Sequence, residues 1–150
     1  MIERYQREEM KKLWSEKSKF NAYLKVELAA SYAWHELGPF DESTYNKLKT
    51  ASFKLKDIQV LEKQTKHDVV AFTKSVSKSL GEEKKYFHYG LTSTDVVDSA
   101  HGIILKKVNK VIKKDMLAFM EVLKEKAHLY KDTPIMGRTH GMHAEVTSFG

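Results

Sequence analysis

The segment from about Asp95 to Tyr130 limits the fold of this chain more than any other feature. It holds roughly 36 residues without proline and with a single glycine, Gly102. Apolar residues recur along it at helical spacings, at positions 104, 108, 111, 116, 119, 123 and 127. A helix of this length would extend for about 54 Å at 1.5 Å per residue. Such a length is typical of a strut in a helical bundle rather than of a small globular helix.

The rest of the chain also favours helices. Apolar spacings predict a first helix over about residues 8–37, which Gly38 and Pro39 should end. A short helix is expected over 41–51, and a further helical segment over 58–81 with a break near 65–68. The 150 residues include only 2 prolines, which suits long helices. We therefore expect an all-α fold, with an N-terminal helical domain over 1–92 and the beginning of a central long-helix bundle over 93–150.

Charge and composition narrow the function classes. The formal net charge is +6, and residues 101–131 carry eight lysines against three acids, so an anionic partner is expected. A nucleic-acid-binding module would need arginines or aromatic residues among these lysines, and the chain has only three arginines. The absence of cysteine excludes thiolate metal sites and a cysteine nucleophile. No apolar run could span a bilayer and no signal peptide is visible, so we expect a cytoplasmic protein without a membrane partner.

Two short segments combine polar groups that suit binding or proton transfer. Thr65-Lys66-His67-Asp68 places a histidine beside a carboxylate and a fixed positive charge. Gly90-Leu91-Thr92-Ser93-Thr94-Asp95 offers hydroxyl groups at the start of the long helix, where free N–H groups form a natural seat for carboxylate or phosphate. Each segment alone is better explained as an ordinary helix N-terminus with exposed polar groups, and Thr92 with Asp95 resembles a capping pair.

The third segment is Met136-Gly137-Arg138-Thr139-His140-Gly141-Met142-His143-Ala144-Glu145. His140 and His143 are three residues apart, so on a helix they could share a face and bind a metal, but no second set of ligands is evident. A catalytic His140, braced by Thr139 and flanked by glycine turns, explains the residues better. A polar loop without chemistry is the plain alternative.

Taken together, these segments resemble the adenylosuccinate lyase family of the fumarase/aspartase superfamily. The resemblance rests on 65–72, 89–98 and 137–145, in the family's order, and on Glu3-Arg4-Tyr5 and 34–38 near the start of the chain. It covers the whole chain, with two departures: Lys66 stands where the family commonly has arginine, and Val146 where it usually has proline. The resemblance implies an all-α subunit that forms a homotetramer whose active sites draw residues from three subunits.

The activity implied by the resemblance is β-elimination of fumarate, without a cofactor or metal, from two nucleotide substrates of purine biosynthesis. Adenylosuccinate would give AMP, and the succinylaminoimidazole-carboxamide ribotide (SAICAR) would give the carboxamide ribotide (AICAR). The implied general acid is His140, with Thr139 as its neighbour. The implied substrate-binding residues are Arg4 and Tyr5 for the phosphate, Thr92 and Ser93 for the carboxylates, and the segment Lys66, His67 and Asp68.

The family's catalytic base is a serine on a loop farther along the chain than residue 150. We therefore expect this chain to be a fragment that is inactive alone, and to self-associate through the apolar stripe of its long helix. Three alternatives stay open. One is another lyase of the same superfamily, such as argininosuccinate lyase; the second is a basic helical module that binds nucleic acid; the third is a helical assembly domain without chemistry.

Overall fold

The computed structural model describes residues 2–150, which form six α-helices and two β-strands. Short 3₁₀ helices lie at Glu3–Tyr5 and Glu82–Tyr86. The α-helices are α1 (Glu8–Leu13), α2 (Glu16–Glu36), α3 (Glu42–Leu48), α4 (Leu55–Thr65), α5 (Asp68–Ser77) and α6 (Ser93–Leu129), and the strands are β1 (Pro134–Thr139) and β2 (Met142–Ser148). The chain divides into two compact units, residues 1–108 and 109–150, and α6 contributes to both. The predicted helical fold class is confirmed, with a small hairpin added to it.

The predicted first helix is in fact two helices. Ser15 separates α1 from α2, because its backbone is extended and its hydroxyl oxygen accepts a hydrogen bond from the backbone N–H of Ser18 at 3.2 Å. The same hydroxyl donates to the carbonyl of Lys12 at 2.8 Å. Ser15 therefore satisfies orphan groups of both helices, as an N-cap residue does. The expectation of one continuous helix over 8–37 was wrong at this point.

An aromatic cluster forms the centre of the first unit. The fully buried ring of Phe72 stacks on Phe20 with centroids 5.7 Å apart and meets Tyr23 edge-on at 5.6 Å. Phe53 and Phe87 lie at 5.8 Å and 6.0 Å from the same ring. Offset and edge-to-face pairs of this kind add to the free energy of apolar burial. The cluster fixes α2 and α5 against each other and supports the polar groups at the start of α5.

The long helix is confirmed almost as predicted. α6 comprises 37 residues, or about 55 Å, and begins two residues earlier than expected. Val96, Ala100, Ile104 and Val108 are buried on one face of its first part. No helix in residues 2–150 is both long and apolar enough to cross a membrane.

The second unit ends in an antiparallel hairpin that the sequence did not predict. β1 and β2 pair from Pro134 with Ser148 to Thr139 with Met142, with a bulge between Met136 and Arg138. A Cβ atom at Gly137, inside the bulge, would lie 2.8 Å from the carbonyl oxygen of Glu145, so a glycine is required there. The loop expected around His140 is therefore a strand–turn–strand unit.

Candidate active site

The chain reverses direction between α4 and α5, and this places His67 at a helix N-terminus. Lys66 ends α4 in the left-handed conformation, with φ 54° and ψ 29°, and donates its backbone N–H to Glu62. His67 is extended and caps α5. The Thr65 hydroxyl donates to the carbonyl of His67 at 3.1 Å, which closes the turn. The predicted break at 65–68 is confirmed, and it presents the exposed His67 ring at the N-terminus of α5.

Asp68 is held by partners that sequence reasoning did not find. Its Oδ2 accepts hydrogen bonds from the Lys19 ammonium at 2.9 Å and the Tyr23 hydroxyl at 3.2 Å, and its Oδ1 accepts the backbone N–H of Val69 at 2.8 Å. Partial burial opposes ionisation of Asp68, but the hydrogen bond and charge of Lys19 outweigh it and hold the pKa of the carboxyl below its ordinary value. Both carboxylate oxygens are thus engaged within the protein, so Asp68 fixes the start of α5.

The start of α6 carries the capping pair that the sequence predicted. The Asp95 carboxylate accepts the backbone N–H of Thr92 at 2.7 Å and the Thr92 hydroxyl at 2.8 Å. These two hydrogen bonds lower the pKa of Asp95. The Thr92 hydroxyl hydrogen is therefore engaged by Asp95, whereas the Ser93 hydroxyl lies at the first turn of α6 and faces the other predicted segment.

A contact between Ser93 and His67 brings these two segments together. The Ser93 Oγ lies 3.4 Å from the His67 Nε2, across 26 residues of sequence. The His67 Nδ1 lies 3.8 Å from the Asp68 Oδ1. Both distances exceed those of strong hydrogen bonds, so the arrangement does not have the geometry of an activated serine nucleophile. Instead, the N-termini of α5 and α6 converge, each with the positive end of a helix dipole. Such a place favours anionic groups.

Arg4 and Tyr5 lie on the exposed 3₁₀ helix near the start of the chain. The Arg4 guanidinium donates to the Tyr5 hydroxyl at 3.1 Å and lies 4.8 Å from the centre of its ring. Within residues 2–150, the structure brings these two side chains to each other rather than to His67 or Ser93. Lys66 is exposed and borders an open depression of about 590 Å³ that Gln59, Glu62 and Lys63 also line.

His140 lies at the tip of the hairpin. His140 and Gly141 form its two-residue turn, with φ angles of 50° and 73°, and both are exposed. Two left-handed residues are what a type I′ turn requires. Thr139 is the last residue of β1 and pairs with Met142, while His143 lies in β2 opposite Arg138. The structure therefore presents the His140 ring on a short turn, next to Thr139.

The metal-binding alternative required His140 and His143 on one helical face, and this arrangement is wrong because the segment is a hairpin. In the part of the chain that the structure describes, no group of three or more histidine, cysteine or acidic side chains is placed to hold a metal ion.

Comparison with known proteins agrees with the motifs. The model of a family described as lyase matches residues 3–150. This chain belongs to that lyase family. Among relatives of this lyase chain, the adenylosuccinate lyase of Bacillus subtilis is 52% identical and that of Staphylococcus saprophyticus 50% identical, each over 151 aligned positions. Each alignment covers 100% of the chain and 35% of the relative, so the chain spans about a third of these proteins.

Solved structures resemble the lyase chain in fold. A fumarate lyase from Mesorhizobium sp. BNC1 matches with a TM-score of 0.86 and 24% identity. The match covers 93% of this chain and 34% of the fumarate lyase. The β-carboxy-cis,cis-muconate cycloisomerase of Acinetobacter calcoaceticus has a TM-score of 0.87 and 18% identity, and covers 97% of this chain with 36% of its own length. At these identities the likeness shows the fold alone.

Proposed function

We propose that this chain supplies part of an adenylosuccinate lyase, which cleaves adenylosuccinate to AMP and fumarate and acts likewise on SAICAR. The observation that supports this most strongly is the convergence of two helix N-termini where His67 lies 3.4 Å from Ser93. The substrate carries a phosphate and two carboxylates. A place with oriented N–H and O–H donors suits such anions. Relatives at 50–52% identity carry the name adenylosuccinate lyase.

In this proposal the described residues bind the substrate and deliver one proton. Ser93 donates its hydroxyl to a carboxylate at the start of α6, and Thr92 joins it by exchanging its hydrogen bonds to Asp95 for bonds to the substrate. Arg4 and Tyr5 meet the phosphate. Lys66, His67 and Asp68 complete the binding segment, with Asp68 acting by holding the start of α5 through Lys19. His140, with Thr139 beside it, protonates the departing nitrogen. A base outside these residues removes the proton from the neighbouring carbon, the C–N bond breaks, and the electron pair of the C–H bond forms the double bond of fumarate.

The assembly is part of the same proposal. The part of α6 in the second unit exposes large apolar side chains, among them Met116, Phe119, Met120 and Leu123. Exposed apolar stripes of this size are typical of surfaces that pack in a bundle. We propose that this stripe packs within a homotetramer of the whole enzyme, with active sites shared between subunits. The cytoplasmic location stays a prediction.

A chimeric enzyme tests the proposed activity. The chain replaces the aligned segment of the Bacillus subtilis adenylosuccinate lyase, and release of fumarate is measured with adenylosuccinate. We expect turnover by the chimera, and a fall of about 10²- to 10⁴-fold in kcat for His140→Gln, as for loss of a general acid. His143→Gln is the matched control, because it changes a histidine of the same hairpin to which no role is given.

Two outcomes would count against the proposal. One is a His140→Gln chimera that turns over as fast as the parent. The other is a chimera that cleaves argininosuccinate but not adenylosuccinate, which would favour the alternative lyase. The 150-residue chain by itself should release no fumarate above background, since the proposed base lies outside it.

A further inference from the structure

A buried carboxylate lies under the loop that leads to Thr92 and Ser93. The Glu27 side chain in α2 is only 1% exposed, and its Oε1 lies 2.6 Å from the Nδ1 of His88. A buried carboxylate is strongly disfavoured unless it is paired and hydrogen-bonded. Glu27 therefore holds the ring of His88.

The same face of α2 holds the loop at two further points. Trp34, seven residues after Glu27, donates its indole N–H to the carbonyl of Tyr89 at 3.1 Å. Gly90 lies so close to the Trp34 ring that a Cβ atom there would be 2.9 Å from it. Glu27 and Trp34 lie on one face of α2, because residues seven apart are separated by about two helical turns. The loop 88–90 is thus fixed to a rigid helix by side-chain and backbone contacts.

The loop needs this support because its backbone is unusual. His88 has φ 66° and Gly90 has φ 74°, both in the left-handed region. Glycine adopts this conformation freely, whereas a histidine there is uncommon and persists only where surrounding contacts impose it. The hydrogen bond between the His88 ring and Glu27 is such a contact. Two residues after Gly90 the chain reaches Thr92, so the geometry of the loop determines where the hydroxyls at the start of α6 lie.

The charge of Glu27 also requires a partner at this place. Burial raises the pKa of Glu27, while the hydrogen bonds and charge of His88 act in the opposite direction. An unpaired carboxylate under a site for anions would repel them. The hydrogen bond from the His88 ring offsets part of this cost of burial.

We propose that Glu27 is a positioning residue, which holds His88 and through it the loop 88–92 in the conformation that presents Thr92 and Ser93 to an anionic substrate. This inference rests on the proposed function for the identity of the substrate. Glu27 acts through His88 and does not touch the reacting atoms. Displacement of a substrate-binding group by about 1 Å can cost orders of magnitude in rate. Loss of the contact between Glu27 and His88, which we call the clamp, should therefore change the kinetics measurably.

The experiment uses the chimera in which this chain replaces the aligned part of the Bacillus subtilis enzyme. Glu27→Gln keeps the shape of the side chain but removes its charge and weakens its acceptor. We expect KM for adenylosuccinate to rise about tenfold while kcat falls less, because Thr92 and Ser93 hold the carboxylates before and during the reaction alike. His88→Asn, which tolerates a positive φ, should raise KM to a similar extent. The double variant should cost little more than either single one, as for two residues that act as a unit.

Ser31→Ala is the matched control. Ser31 is buried on the same face of α2, and its hydroxyl donates to the carbonyl of Glu27 at 2.8 Å, so its hydrogen bond lies within the helix and not with the loop. We expect this variant to lower the melting temperature without changing KM. Fully additive effects of Glu27→Gln and His88→Asn on KM, or a KM within twofold of the parent for Glu27→Gln, would overturn the positioning role.

Hydrogen exchange of the 150-residue chain separates this inference from the proposed function. The Thr92 amide, which donates to Asp95 at the end of the loop, should be protected in the parent and in Ser31→Ala, and should exchange faster in Glu27→Gln, where the loop is no longer held. An inactive parent chimera would count against the proposed substrate, while this pattern of protection would still support the clamp. Equal protection of the Thr92 amide in the parent and in Glu27→Gln would overturn the clamp whatever the substrate.

Discussion

The two units of this chain have similar apolar patterns but differ in how far the apolar residues are buried. In residues 2–108 the apolar positions of α2, α4, α5 and the first part of α6 are buried in one core. In residues 109–150 the helical stripe continues, yet Phe119 is 62% and Met116 61% exposed. Periodicity therefore identifies which face of a helix is apolar, but not what covers that face. The first unit contains its own core, whereas the second leaves its apolar stripe exposed.

The largest effect on stability is expected at the most buried ring of the first unit. Phe72→Ala removes the side chain at the centre of the aromatic cluster, so the free energy of unfolding of the first unit should fall by about 3–5 kcal/mol. Phe119→Ala removes the same side chain from an exposed position and should change it by less than about 0.5 kcal/mol. Denaturant unfolding followed by circular dichroism measures both. Similar losses for the two variants would show that the second unit is packed as the first is.

The second expected effect concerns self-association through the exposed apolar stripe of the second unit. Leu123 is 51% exposed on α6, and burying such a side chain contributes about 1.5–3 kcal/mol. Leu123→Glu should therefore weaken self-association of the chain by about tenfold or more, measured by light scattering over a range of concentrations. His128→Glu adds the same charge at an exposed polar position of the helix and serves as the control. A monomeric parent chain would contradict this expectation.

The regular elements of this fold were the part most readily predicted from sequence. α6 was predicted to within two residues because no proline interrupts its apolar pattern and Thr92 with Asp95 marks its beginning. The break at Ser15 was missed because the apolar spacing continues across it, although a serine before Glu16 was a cap signal. The hairpin was missed because β1 shows no alternation of apolar and polar residues, and because the alternation from Met142 to Thr147 in β2 was not interpreted as a strand.

The candidate site was only partly predictable, for a different physical reason. Motifs identified His67, Ser93 and His140 because each motif is local in sequence. Lys19 and Glu27 were missed because their partners, Asp68 and His88, lie 49 and 61 residues away. Nothing in the pattern of α2 distinguishes these two charged residues from others on a solvated face. Only the packing of α2 against the loops shows that they support the site.

The smallest expected effect concerns the ion pair between α2 and α5. Asp68→Asn keeps the size of the side chain but removes its charge beside Lys19. About a third of each side chain is exposed to solvent, which screens the pair, so we expect the free energy of unfolding at neutral pH to fall by about 1 kcal/mol. Asp57→Asn breaks the more exposed pair with Lys78 and should cost less.

The pH dependence shows whether the charge of Asp68 is the cause. The pKa of Asp68 lies below its ordinary value of 3.8 in the folded state, so the unfolded state binds more protons near that pH. The contribution of Asp68 is therefore complete above that value and is lost as pH falls through the folded pKa. The difference between the parent and Asp68→Asn should be constant near neutrality and shrink below about pH 4. A difference that persists unchanged into strong acid would mean that Asp68 stabilises α5 by its shape and its hydrogen bond to Val69, not by its charge.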